Sequence, residues 1–242
     1  MEIKHNFKSG FTFAETLITI LIIGVVTVIT IPTLVQSYKD KIISARVKKS
    51  YSLLTQTFNA AREDKGTPIR WGLQNGAADA TSESNKTGNK NWYRFQFEKN
   101  IKVSKNCENK VGENCTKNTK VYALSQDVII DKELDSAKSY YKFITDNQMS
   151  IILNSKSKNC ELTAGTLEKV CGEIYVDING PTQGSNTIGE DLFKFYLTKT
   201  GILPYNASET NKDTLIADCI ATGESCSAYV LRFGNAKYLL KK

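Results

Sequence analysis

One apolar segment near the N-terminus constrains this chain more than any other feature. The residues from Phe11 to Ile31 read FTFAETLITILIIGVVTVITI, and Glu15 is the only charged residue among them. A helix of this length, rising about 1.5 Å per residue, can cross a hydrocarbon core about 30 Å thick. A secretory signal has a shorter apolar stretch, followed by a small-residue cleavage site. Because the chain instead continues through PTLVQ into a charged segment, we predict a membrane-spanning helix.

The charges around this segment indicate its orientation and one functional position. The leader, residues 1–10, is short and basic, so we expect it to stay in the cytoplasm while the chain beyond the span is translocated. An ionisable side chain costs about 2.5–3.5 kcal/mol at the centre of a membrane helix, and less near its edge, and therefore marks a functional position. Glu15 needs a partner for this reason. The alternative is an uncleaved N-terminal anchor, which the presence of Glu15 disfavours.

The sequence around this glutamate resembles a known processing signal. The stretch KSGFTFAETLITILIIG is similar to the N-terminal signal of type IV pilins and type II secretion pseudopilins. The resemblance implies that the prepilin peptidase of that family cuts between Gly10 and Phe11 and methylates the new amine of Phe11. Glu15, Gly24 and Pro32 stand where that family is expected to have them. The resemblance extends from residue 8 to about residue 38 and fades beyond.

Cleavage would supply the partner that Glu15 needs. The α-amine of Phe11 is largely cationic at neutral pH, and its methylated form remains an ammonium. In a bundle of such helices the carboxylate of one subunit can meet the amine of a neighbour, and this pair would fix the axial register of a filament. A pair between Glu15 and the amine of its own chain is the alternative, because residues four apart share a helix face. The resemblance implies the pair between subunits, or capture of the subunit by an inner-membrane assembly platform.

The helix is expected to continue beyond the membrane. Apolar residues recur at three- or four-residue intervals from Val35 to Ala61, as in an amphipathic helix, and Gly66 and Pro68 indicate its end near Asp64. Between Gly24 and Pro32 lies a run of β-branched residues, so the span is expected either to kink or to melt locally when the subunit leaves the bilayer.

The rest of the chain predicts strands. Residues 66–90 lack periodicity and are expected to form a loop, whereas residues 91–101 fit a short helix or a strand. Candidate strands at 140–145 and 148–153 flank Asp146 and Asn147, a favourable hairpin turn because both residue types tolerate positive φ. Further strand candidates are residues 173–178, 192–199 and 228–233.

These elements predict an α+β fold in which a long N-terminal helix packs on an antiparallel β-sheet, as in pilin-like proteins. We divide the chain into a cleaved leader (residues 1–10), a transmembrane and polymerisation segment (residues 11–35) and one globular head (residues 36–242).

The six cysteines all lie on the side of the span that we expect to be translocated. Oxidising surroundings favour disulfides, and six cysteines permit fifteen pairings. Their close spacing in sequence suggests three sequential bridges, 107–115, 160–171 and 219–226. Zinc is disfavoured, because no C-x-x-C motif occurs and His5, the only histidine, leaves with the leader. The cysteines are Cys107, Cys115, Cys160, Cys171, Cys219 and Cys226.

The missing histidine also limits the enzyme classes. If the leader is cleaved, hydrolases that depend on histidine and His-ligated metal sites are excluded. The sequence also lacks a glycine-rich phosphate loop with the required lysine. We therefore predict a protein that is not an enzyme.

One loop of the head carries several side-chain oxygens. Asp177 and Asn179 precede Gly180-Pro181, and Asp191 follows within the same loop. Such oxygens can bind Ca²⁺, which takes six to eight of them, and some secretion pseudopilins are similar in having a calcium-stabilised loop near the sheet. The alternative, which we favour, is a turn in which Asp177 and Asn179 bond to the loop's own backbone.

The net charge of +7 indicates two further candidate partners. A basic head can bind DNA, as the minor pilins of uptake systems do, or lie over anionic membrane lipid. The lysines are scattered, however, and form no compact cluster interleaved with aromatic residues, so DNA is the weaker expectation.

Taken together, these features predict a structural subunit, a minor pilin or pseudopilin. It would lie in the inner membrane with its N-terminus in the cytoplasm and its head in the periplasm or outside the cell, and would assemble with other pilin or pseudopilin subunits. The alternative is a membrane-tethered binding protein whose head holds DNA, a surface or a secreted substrate.

Overall fold

The computed structural model describes residues 10, 12–75, 83–117, 120–130, 134 and 140–241. Residues up to Asp40 form one compact unit, and Lys41–Lys242 form a second. The predicted leader, apart from Gly10, lies outside the described residues.

Helix α1 extends from Phe13 to Lys65. It ends where the sequence predicts, because Gly66 takes a left-handed φ of 76° that only glycine adopts readily. The helix is continuous through Gly24 and Pro32. Proline inside a helix removes one backbone hydrogen bond, and here that loss does not end the helix.

The second unit contains a seven-stranded, fully antiparallel sheet. The strand order is β1-β4-β5-β7-β8-β9, and β6 also pairs with β7. A separate two-stranded sheet joins β2 (Val121–Tyr122) to β3 (Val128–Ile130). The strands of the main sheet are β1 (Val103–Glu108), β4 (Tyr141–Thr145), β5 (Ser150–Ser155), β6 (Leu162–Ala164), β7 (Leu167–Asp177), β8 (Leu192–Thr198) and β9 (Ile202–Leu203).

The main core lies between α1 and one face of the sheet. Val47, Leu54 and Phe58 of α1 are fully buried in one cluster with the inward residues of the central strands, such as Ile174 and Phe195. Since burial of a large apolar side chain contributes about 1.5–3 kcal/mol, each of these residues stabilises the head appreciably. The predicted α+β fold, with the long helix packed on an antiparallel sheet, is confirmed.

Shorter helices complete the head. Tyr229 packs on Phe233 and Tyr238, with ring centroids 4.9 and 5.2 Å apart. The remaining helical elements are a 3-10 turn (Pro68–Arg70), α2 (Glu83–Trp92), a π-helical turn (Tyr93–Phe97), α3 (Lys212–Ala221), α4 (Cys226–Phe233) and a final 3-10 turn (Lys237–Leu240).

Three local predictions need correction. Residues 83–90, expected in a loop, belong to α2. Of residues 91–101, for which the sequence allows a short helix or a strand, Asn91 and Trp92 end α2 and Tyr93–Phe97 form the π-helical turn, so this stretch agrees with the helical alternative. Residues 228–233, predicted as a strand, lie in α4. The aromatic and β-branched residues there suit a strand, but the Cys219–Cys226 disulfide and the left-handed Gly234 at the end favour a helix. In the β4–β5 hairpin the positive φ, 63°, falls on Gln148 rather than on Asp146 or Asn147.

The core packing predicts a large effect of truncating Phe58. Its ring lies 5.6 Å from that of Trp71 and is 1% exposed. We expect Phe58→Ala to lower the free energy of unfolding by about 3–5 kcal/mol, because it removes buried surface and leaves a cavity. The neighbouring exposed Asn59→Ala is the control, with an expected change within about 0.5 kcal/mol. Equal denaturation midpoints for the two variants would contradict the packing.

Candidate functional site

The first half of α1 presents its apolar side chains to the outside. In this structure none of the large apolar residues between Phe13 and Tyr38 is buried. Single exposed apolar residues are ordinary, but a continuous apolar surface marks a protein or membrane contact. The segment is long and apolar enough to cross a bilayer, which is compatible with a single-pass membrane protein.

The threonines of this segment are adapted to apolar surroundings. The hydroxyl of Thr27 donates to Ile23 O at 2.6 Å, and that of Thr30 donates to Val26 O at 2.8 Å. Thr16, Thr19 and Thr33 bond to carbonyls of the same helix in the same way. Because an unpaired polar group is costly in hydrocarbon, these bonds let five hydroxyls enter a membrane without a partner helix.

Glu15 closes a capping box at the start of α1. Its Oε2 accepts from Thr12 N at 2.8 Å and from Thr12 Oγ1 at 2.9 Å, while Glu15 N donates to Thr12 Oγ1 at 3.3 Å. This is the reciprocal pattern of a Thr-x-x-Glu capping box, which stabilises a helix start. Both bonds reach one carboxylate oxygen, and Oε1 has no bond to any of the described residues. The Thr-x-x-Glu motif is present in the sequence, but the charge pattern alone does not reveal it.

The other residues predicted for processing (Gly10 and Phe11) and for assembly (Gly24 and Pro32) differ in what the structure shows of them. Gly10 and Gly24 have no described atom near the position that a side chain would take, so neither glycine is required here by close packing. Pro32 lies inside α1. Phe11, the predicted methylated residue, lies outside the described residues.

All six cysteines are paired, and the pairing is the sequential one that the spacing suggests. Cys107–Cys115, Cys160–Cys171 and Cys219–Cys226 each close a short loop of the head. Loops this small contribute roughly 2–3 kcal/mol each in the loop-entropy model.

The loop between β7 and β8 brings two buried aspartates together. Asp177 Oδ1 accepts from Asn179 N at 3.2 Å and Gly180 N at 3.0 Å. Asp191 Oδ1 accepts from Thr187 N at 2.6 Å, and its Oδ2 accepts from Asn186 N at 2.7 Å. The predicted alternative, a turn in which Asp177 bonds to the loop's backbone, is confirmed for this residue. Asn179 differs, because its buried Oδ1 has no hydrogen-bond partner in the described residues.

This donor set does not fit a calcium ion. Four backbone N–H groups point at the two carboxylates, whereas a calcium site directs oxygens at one point. Asn179 Oδ1 is the one side-chain oxygen of the three predicted ligands that is buried and still available. Within the described ranges no group of three or more acidic, His or Cys side chains converges.

The aspartates resist ionisation. Burial, and then the charge of Asp191, raises the pKa of Asp177 to about 7. Burial also raises the pKa of Asp191, although the loop amides oppose this. The loop therefore favours fewer than two negative charges near neutral pH.

A second buried ionic group lies on the face of the sheet that points away from α1. It was not predicted. Lys194 Nζ is 2.7 Å from Glu224 Oε1 and 3.2 Å from Glu173 Oε1, and Tyr196 OH donates to Glu224 Oε2 at 2.5 Å. Burial opposes the charge on Lys194, but Tyr175 and the two glutamates outweigh it and raise its pKa. The only signal in the sequence is the alternation of side chains along β8, which places Lys194 on the face of the sheet opposite to that of Phe193 and Phe195.

These features define a disulfide-bonded α+β head whose spine helix begins in an exposed apolar segment. The chain belongs to a family of unknown function, DUF6613, whose model matches residues 33–229. The match begins directly after Pro32 and covers the spine and most of the head. No curated protein and no solved structure matches the chain.

The raised pKa of Asp177 predicts a pH dependence of stability. A carboxyl whose pKa is higher in the folded than in the unfolded chain stabilises the fold at low pH, and this contribution is lost as the pH rises through the folded value. From about pH 8 to about pH 5 we expect this group to add about 1–3 kcal/mol to the free energy of unfolding. Asp177→Asn keeps the Oδ1 acceptor and should flatten this part of the profile.

The control is Asp146→Asn, in the exposed β4–β5 turn. It should keep the wild-type pH profile in chemical denaturation. A profile of Asp177→Asn that coincides with that of Asp146→Asn would show that the Asp177 carboxyl is ionised in the folded state throughout.

Proposed function

We propose that this protein is a non-enzymatic structural subunit, a minor pilin or pseudopilin, of a type IV pilus-like or type II secretion-like filament. The observation that carries the proposal is the apolar half of α1, which is exposed along its whole length and has a single carboxylate in its first turn. Copies of such a helix can bury this surface in the membrane before assembly and against one another afterwards. The fold of the head, a spine helix on an antiparallel sheet, agrees with this role.

The disulfides support the proposed orientation. All six cysteines of the head are oxidised in pairs, which suits the periplasm or cell exterior rather than the reducing cytoplasm. The head would then lie outside the inner membrane, with the leader in the cytoplasm and accessible to a prepilin peptidase.

The geometry of Glu15 supports pairing with a neighbour. Thr12 occupies only Oε2, so Oε1 remains available to accept from the methylated amine of another subunit's Phe11. The intersubunit pair therefore needs no break in the capping box. The same oxygen is available to the assembly platform before the subunit enters a filament.

Peptide mass spectrometry of the protein extracted from native membranes tests the processing step. We expect an N-terminal peptide that begins at N-methyl-Phe11. In Gly10→Val the cut should fail, because the side chain blocks the glycine position that the processing signal requires, and the chain should begin at Met1. Finding Met1 at the N-terminus of the wild-type protein would withdraw the filament proposal and leave a tethered protein.

Two substitutions of Glu15 separate helix capping from charge pairing. Glutamine at this position still completes a capping box, whereas alanine does not. We therefore expect Glu15→Gln and Glu15→Ala alike to abolish recovery of the protein in sheared filament fractions, since both remove the charge. Membrane retention of both variants should equal wild type.

The control is Thr12→Val, which removes the hydroxyl but keeps the carboxylate, and which should still assemble. Normal assembly of Glu15→Gln would mean that Glu15 acts only as a cap.

A second candidate function, a membrane-tethered binding protein, is favoured by a cleft of about 330 Å³ in the head. Arg46 and Lys49 of α1 line it together with the amides of Asn147, Gln148 and Gln183. Such a lining suits an anionic group. If the Glu15→Ala protein fully replaces the wild-type protein in the native host, the tethered binding protein is favoured over filament assembly.

A further inference from the structure

The cleft beside α1 is built from three separate parts of the head. Helix α1 supplies Arg46 and Lys49, the β4–β5 hairpin supplies Gln148, and the β7–β8 loop supplies Gln183. Residues that are distant in sequence therefore converge on one volume of about 330 Å³. Since a water molecule takes about 30 Å³, the cleft has room for a ligand of about eleven non-hydrogen atoms, which is larger than a single phosphate ion.

The walls of this cleft are fixed to one another within the head. Arg46 Nη1 donates to Ile178 O at 3.4 Å, which ties α1 to the residue that follows β7. A side chain at Gly180 would lie 2.5 Å from Gln148 O, so the β7–β8 loop and the β4–β5 hairpin fit together without space between them. The strands that carry these two connections, β5 and β7, are paired. A cleft that is already formed loses less conformational entropy when a ligand binds.

The cleft carries positive charge that no neighbouring acid balances. Arg46 and Lys49 are exposed, lie three residues apart on one side of α1, and form no ion pair with a described residue. The described lining of the cleft contains no acidic side chain. Only one N–H of the Arg46 guanidinium is bonded to Ile178 O, so its other donors remain for a ligand. Such a planar fork matches a carboxylate or a phosphate, and the cleft therefore suits an anion.

The rest of the lining selects among anionic ligands. Asn147, Gln148 and Gln183 are exposed carboxamides, which donate and accept hydrogen bonds as peptide groups do. Met149 and Ile178, 2% and 4% exposed, form an apolar floor. No aromatic ring of the described chain lines the cleft, whereas single-stranded nucleic acids bind by stacking their bases on such rings. Carboxamide walls and an apolar floor suit a peptide better than a nucleic acid.

We propose that this cleft binds an acidic peptide segment of another protein. Arg46 and Lys49 hold the carboxylate of an aspartate or glutamate side chain in the segment. The peptide groups on either side of that residue bond to the carboxamides, and an adjacent apolar side chain packs on Met149 and Ile178. The proposal rests on the second candidate function, a head that binds a ligand, and names the chemical class of that ligand. It does not depend on filament assembly.

Calorimetric titration of the full-length protein in a neutral detergent tests the proposal. The probes are two tripeptides with blocked ends, Leu-Glu-Leu and its uncharged twin Leu-Gln-Leu. At low ionic strength we expect the glutamate peptide to bind about tenfold more tightly or better, because only its carboxylate makes charge-assisted hydrogen bonds to Arg46. Raising the salt concentration from about 50 to about 500 mM should reduce this difference. Equal affinities for the two peptides at low salt would overturn the proposal.

Substitutions of Arg46 locate the binding in the cleft. Arg46→Gln should bind both peptides with nearly equal affinity, whereas Arg46→Lys keeps the charge without the fork and should retain part of the preference. The matched control is Lys41→Gln, an exposed position of α1 outside the cleft, which should bind as wild type does. Because these side chains are exposed, all three variants should keep the wild-type Tm. Indistinguishable titrations of Arg46→Gln and Lys41→Gln would also overturn the proposal.

Three further probes separate other sources of negative charge: inorganic phosphate, glucuronate and a single-stranded oligonucleotide. If one of them binds more tightly than Leu-Glu-Leu and loses this affinity in Arg46→Gln, the peptide proposal is overturned while the second candidate function stands. If no probe binds at concentrations up to about 10 mM, both are overturned. Neither result bears on the filament proposal, which the N-terminal processing and Glu15 experiments decide.

Discussion

The contact between one face of α1 and the sheet is the interaction on which the rest of this structure depends. Val47, Leu54 and Phe58 are buried in one cluster with residues of the strands, and Tyr51 stacks on Phe195 with ring centroids 5.8 Å apart. Helices α3 and α4 join the same core through residues such as Leu215 and Tyr229.

The large elements of the fold could be predicted because their signals are periodic and long. The spacing from Val35 to Ala61 indicated the spine, and Gly66 indicated its end. Residues 228–233 were predicted wrongly because aromatic and β-branched residues suit either a strand or a helix, and the choice was made by a disulfide and by packing on Tyr238. Helix α2 was missed because its sequence, ESNKTGNKNW, is polar and gains its stability from tertiary contacts such as the fully buried Trp92.

The sequence predicts some parts of the candidate sites but not others. Glu15 could be identified from its cost in a membrane, yet its bonds to Thr12 require the local geometry of the helix start. Asp177, Asn179 and Asp191 do come together, but sequence alone does not reveal that backbone amides already occupy the carboxylates. Lys194 lies far in sequence from Glu173 and Glu224, with which it forms ion pairs, so no short pattern in the chain connects them.

The disulfides have a consequence for how the head forms. Their sequence separations are 8, 11 and 7 residues, and no bridge encloses another. A head that is exported progressively from the end nearest the membrane span therefore presents both cysteines of one bridge before the first cysteine of the next. Short loops also close at low entropic cost. In the orientation proposed above, oxidation can follow export in order along the chain, so that the correct one of fifteen pairings is reached without disulfide exchange.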